Sequence, residues 1–189
     1  MPIEVPDFKV SLREGPIEVR DYPALVAAEV TVHGNRTDAA AAGFRLLAGY
    51  IFGGNTSRQS IDIATLVSQG RGAGEKISMT APVSQKAISD AWTISFVMPS
   101  AYTLDTLPLP IDQRVHLTKV PPSQVAVVRF SGLAREPDIQ RKSRELKNFI
   151  VTRRLLPVGT ASVARHNPPW TPGFMRRHEI MIPLRVSSA

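Results

Sequence analysis

One order of local signals runs through this chain twice, and that order constrains its fold more than any other feature. In the first half Ile17–Tyr22 alternates apolar and polar residues as a half-buried strand does, and Pro23 ends it. Valine-rich residues 25–32 make a second strand, and Gly34-Asn35 turns the chain. Thr37 is placed to cap a helix over about 38–51, which Gly53-Gly54-Asn55 terminates. Strands are expected over 61–67, 76–83 and 92–98, the first two joined as a hairpin through Gly70, Gly72 and Gly74. Residues 102–110 read as a connector stiffened by prolines.

Beyond the connector the order recurs. Residues 115–120 and 124–130 are strands, and 137–154 is a long helix with Leu146, Phe149 and Ile150 inward. Residues 160–165 and 178–183 supply two more strands. Tyr22-Pro23-Ala24-Leu25-Val26 is echoed by Val120-Pro121 before Val125-Ala126-Val127-Val128. Trp92-Thr93-Ile94-Ser95-Phe96-Val97-Met98-Pro99 is echoed by His178-Glu179-Ile180-Met181-Ile182-Pro183. The expectation is one α+β domain over 1–189, a twisted antiparallel β-barrel or curved sheet of about eight strands flanked by two helices. Two βαββ-like repeats, about 15–100 and 113–185, compose it.

The formal charge of +7 favours anionic partners. Its densest cluster, Arg141, Lys142, Arg144, Lys147, Arg153 and Arg154, falls on the second helix and reads as that helix's solvent face. Nucleic acid is therefore not the expected partner. With no cysteine, the chain has no disulfide, thiolate ligand or covalent heme attachment. No apolar run reaches the roughly 18 residues of a membrane span, and the first residues carry no signal-peptide pattern. A cytoplasmic location is the expectation.

Several segments together carry a family resemblance. They are Ile17-Glu18-Val19-Arg20-Asp21-Tyr22-Pro23, Gly53-Gly54-Asn55, Lys76-Ile77-Ser78-Met79-Thr80-Ala81-Pro82-Val83, Trp92–Pro99 as quoted above, and Asn167-Pro168-Pro169-Trp170 leading into Arg177-His178-Glu179-Ile180. In this order the chain resembles the SOUL heme-binding family from about Ile17 to Leu184, most specifically around Met79-Thr80-Ala81-Pro82-Val83. The resemblance implies a twisted barrel with two helices and non-covalent binding of heme or another tetrapyrrole, with no enzyme activity shared across the family. It places the ligand in an apolar groove between the first helix and the loop before the last strand. Basic side chains near the rim would meet the propionates.

On the first helix Phe44, Leu47, Ala48 and Ile51 form one apolar stripe, and Ala39, Gly43, Leu46 and Tyr50 form another. Such a helix either is buried on two sides or leaves a strip for a ligand or a second subunit, so a homodimer is compatible with it. The candidate binding residues are Phe44, Arg45, Leu47, Ala48, Ile51, Phe174, Met175, Arg176 and Arg177, with the arginines meeting carboxylates. His33 and His166 are the candidate axial ligands among four histidines, none of which share metal-ligand spacing. Methionines 79, 98 and 181 sit among strand residues as core fillers. No nucleophile elbow, phosphate loop or dinucleotide fingerprint is present, which argues against an enzyme. The alternative is an effector-binding module, since the duplicated plan also resembles the gyrase-inhibitor-like type that holds hydrophobic cations. Carboxylates in the groove would favour that reading, and an arginine rim would oppose it.

Overall fold

Alternating apolar residues build the strands, and two amphipathic helices cover one face of the sheet they form. The computed structural model describes residues 5–56, 74–78, 83–167 and 171–185. In chain order the elements are β1 (Lys9–Glu14), β2 (Ile17–Tyr22), β3 (Leu25–His33), α1 (Arg36–Ile51), β4 (Asn55–Thr56), β5 (Val83–Ile88), β6 (Ala91–Val97), β7 (Leu109–Pro110), β8 (His116–Val120), β9 (Ser123–Ser131), α2 (Glu136–Thr152), β10 (Ser162–Arg165) and β11 (Arg177–Leu184). Nine of the strands form one curled antiparallel sheet in the order β1-β2-β9-β11-β10-β5-β6-β3-β8. Strand β2 pairs with β9 and β8 pairs with β3, so the first strand of each sequence half joins the other half.

The α+β class and the antiparallel curved sheet agree with the sequence. Several details differ. Strand β1 is an addition that the sequence reading lacks, and β4 and β7 form a separate two-stranded ribbon. Within the expected connector, Leu107 is fully buried and 109–110 is a strand. The expected hairpin at 61–67, the core of the 76–83 strand and Trp170 lie outside the described residues. Helix α1 starts two residues earlier than expected because Asn35, not Thr37, caps it. Asn35 Oδ1 accepts from the backbone N–H groups of Thr37 and Asp38, both at 3.0 Å.

Each helix covers its own part of the sheet. Under α2 lies a core of Ile17, Val19, Ala126, Val128, Ile180 and Ile182, with Ile139, Leu146, Phe149 and Ile150 from the helix. Under α1 lies a second core of Ala28, Val30, Ile94 and Phe96, with Ala39, Leu47, Tyr50 and Ile51 from the helix. Gly43 lets α1 come this close, because a Cβ there would stand 2.7 Å from the Ile94 side chain. The central strands β5 and β10 lie between the two helices, and there the helix-bearing face is open.

Candidate functional site

The open strip is a groove of about 670 Å³, within the range of small-molecule and cofactor sites. Its floor follows from strand register. Val83 of β5 pairs with Arg165 of β10, which pairs with His178 of β11, which pairs with Phe130 of β9. One step along, Ile94, Gln85, Val163 and Ile180 form the next row. One wall is the face of α1 carrying Thr37, Ala40, Ala41, Phe44 and Arg45, spaced so that they share one side of a helix. The other wall is Leu133, Ala134, Arg135, Glu136 and Ile139, where the chain enters α2. Arg36 and Glu136 join the two walls at 3.1 Å.

Among the described residues, arginines 36, 45, 135, 165 and 176 line the groove against one carboxylate, Glu136. Arg36 stacks on the Trp92 ring at 4.6 Å, and Arg176 Nε donates to the Thr171 carbonyl at 2.8 Å. Arg165 is half-buried on the floor and has no counter-ion among the described residues. Burial lowers its pKa, and the neighbouring cations Arg36 and Arg176 lower it further. The floor also holds two polar side chains that are almost fully buried. Gln85 Nε2 donates to the Arg36 carbonyl at 2.6 Å, which leaves Oε1 unpartnered. His178 Nε2 is 2.9 Å from the Gly132 carbonyl oxygen, so that nitrogen carries the proton, and Nδ1 is an unpartnered acceptor. Burial pushes the His178 imidazole below its ordinary pKa, although the Gly132 hydrogen bond acts the other way.

The residues singled out from sequence fall in different places. Phe44, Arg45 and Arg176 line the groove. Leu47 and Ile51 are 0% and 1% exposed in the α1 core, because the helix turns them onto the sheet. Ala48 is outside the lining. Phe174 and Met175 are 80% and 61% exposed beside the groove without lining it. Arg177 points to the opposite face of the sheet, where its Nη2 is 2.8 Å from Glu179. His33 is an exposed side chain 3.5 Å from Asp90. His166 also lies on the opposite face, with Nε2 2.8 Å from Glu179 Oε2. Sequence reasoning missed Arg165, His178 and Gln85 as groove residues. Their common signal is a polar side chain at an inward position of a strand, the face that alternation assigns to apolar groups.

The opposite face has polar chemistry of its own. Arg20, 1% exposed, donates through Nη1 and Nη2 to Glu179 at 3.0 and 2.8 Å, and through Nε to Glu18 at 2.7 Å. Phe8 stacks on its guanidinium at 4.2 Å. Every buried carboxylate there is matched by a cation. Among the described residues no group of three or more His, Asp or Glu could hold a metal ion, and no helix is long and apolar enough to cross a membrane.

A family model described as SOUL heme-binding protein matches residues 3–183, nearly the whole chain. No curated protein matches. Among solved structures, the C-terminal domain of EcmrR superposes with a TM-score of 0.61 at 8% identity, covering 89% of this chain and 96% of that one. A hydrolase from Listeria innocua superposes at 0.55 with 14% identity, covering 93% and 94%. An uncharacterized conserved protein from Listeria innocua gives 0.55 at 13%, covering 89% and 92%. At these identities the likeness is one of fold alone.

Proposed function

Because this chain belongs to the SOUL heme-binding protein family, we propose that the groove between α1 and α2 holds heme or a related tetrapyrrole without covalent attachment. Arg165 carries this reading. A half-buried guanidinium with no counter-ion among the described residues costs stability, so its presence on the groove floor makes sense as a seat for a ligand carboxylate. Arg36 and Arg176 flank it, and Arg45 and Arg135 stand on the walls, so two propionates would find bidentate donors. Phe44, Val83, Ile94, Ile139 and Val163 supply an apolar lining for a flat ring. The unpartnered acceptors of His178 and Gln85 also fit a bound group with positive or donor character at its centre. Heme, when bound, would supply an iron centre and a light-absorbing ring. The chain's own part is to bind, orient and shield it, as a carrier, buffer or sensor in the cytoplasm.

The effector-module alternative is weaker on the same observations. Hydrophobic cations need unneutralised carboxylates in the site. The groove presents arginines, and the buried carboxylates of the opposite face are already paired.

Titration of hemin, followed by Soret absorption and by quenching of Trp92 beneath Arg36, tests the proposal. Saturable binding is expected in the wild type. Replacing Arg165→Gln removes a charged hydrogen bond worth about 1.5–3 kcal/mol, so affinity should fall roughly 10- to 150-fold. Thermal stability should stay the same or rise, since an unpaired buried charge has been removed. Unchanged affinity in R165Q, or no binding to the folded wild type, defeats the reading.

A further inference from the structure

We infer that His178 is the residue of this chain that coordinates iron in the groove, in place of His33 and His166. The inference rests on the proposed tetrapyrrole site and adds to it a named ligand. His178 is 4% exposed and lines the groove, directly across from Arg165 in the β10–β11 register. A ligating imidazole needs one nitrogen with a free lone pair and usually donates its other N–H to a fixed acceptor. The Gly132 carbonyl is that acceptor, and it lies 2.9 Å from Nε2 at the end of β9. The lone pair is therefore on Nδ1, which is buried and has no partner among the described residues. Folded proteins rarely leave a buried acceptor unmet unless something outside the chain meets it. Nδ1 is fully buried, so coordination requires the side chains over it to move aside.

The other imidazoles lack this arrangement. The side chain of His33 is 75% exposed beside Asp90. His166 faces away from the groove and is held by Glu179. His116 is exposed on the edge strand β8. Arg165 and His178 are cross-strand neighbours, so one floor row offers both a cation for a carboxylate and a lone pair for a metal.

The test compares ferric heme with metal-free protoporphyrin IX in absorption titrations. In the wild type, heme should bind at least about tenfold more tightly than the metal-free ring. In His178→Phe, which keeps an aromatic ring against Phe130, that preference of heme over the metal-free ring should fall to within about twofold. Should His178→Phe misfold, His178→Asn keeps a donor for Gly132 and serves instead, with circular dichroism as the check on folding. In His178→Gly, added imidazole should restore the wild-type Soret maximum, and His33→Ala and His166→Ala should leave it unmoved. Equal binding of the two rings by the wild type overturns the assignment of His178 but leaves the tetrapyrrole site standing, as does a heme spectrum unaltered in the His178 variants. If neither ring binds, both fail together.

Discussion

Replacing Glu179→Gln removes one charge from the most deeply buried ionic cluster described. Glu179 is fully buried and receives two hydrogen bonds from Arg20 and one from Arg177, with His166 Nε2 2.8 Å away. Burial alone would raise its carboxyl pKa, but the hydrogen bonds from His166 and Arg20 more than reverse this and hold it well below the usual carboxylate range. Breaking a buried pair on one side costs about 3–5 kcal/mol. Glutamine still offers an acceptor and Glu18 still pairs Arg20, so the lower end, about 3 kcal/mol, is expected. For a chain of this size that is a fall in Tm of about 6–12 °C. The effect has a sign in pH. A carboxyl whose native pKa is depressed contributes stability above its unfolded value, near 4, and loses it as pH falls further. The gap between wild type and E179Q, measured by urea unfolding at pH 7 and again below pH 4, should therefore shrink in acid. A cost under about 1 kcal/mol at pH 7, or a gap independent of pH, would refute the claim that this cluster is charged and dry.

Other expectations follow from single contacts. Asn35→Ala removes the cap of α1 and should cost about 1 kcal/mol in thermal or urea unfolding. Gly43→Ala drives a methyl to within 2.7 Å of the Ile94 side chain, and about 1–3 kcal/mol of destabilisation is expected, with a change in hemin affinity as α1 lifts from the sheet. Glu136→Gln removes the one carboxylate among the described groove residues and frees Arg36. Hemin affinity should rise by a factor of roughly 1.5–5, in line with a partly exposed ion pair of about 0.2–1 kcal/mol, and lower affinity would count against an anionic ligand.

Much of the architecture was legible from the sequence because it depends on local rules. Alternation in Ile17–Tyr22, the valines of β3 and β9, Gly53 at φ 113° after α1 and the amphipathic 136–152 segment each specify an element with its neighbours alone. The twofold order of those elements further implied a curved antiparallel sheet with two helices. The groove was less legible. The stripe Phe44, Leu47, Ala48, Ile51 is apolar throughout, and nothing local says that Leu47 and Ile51 turn to the sheet while Phe44 and Arg45 turn to the gap.

Tertiary structure decided which chemistry each strand residue performs. In Glu18-Val19-Arg20 the period of two was plain, and it implied that the charged side faces water. The curl of the sheet encloses that side, and the charges became a dry, paired cluster with Glu179, which is about 160 residues away in sequence. Arg165 and His178 are thirteen positions apart in sequence, and only the β10–β11 register makes them neighbours between the two helices. Composition and periodicity fix what a strand is. Which of its faces is open, and what stands opposite, depends on pairings between distant segments that no local pattern encodes.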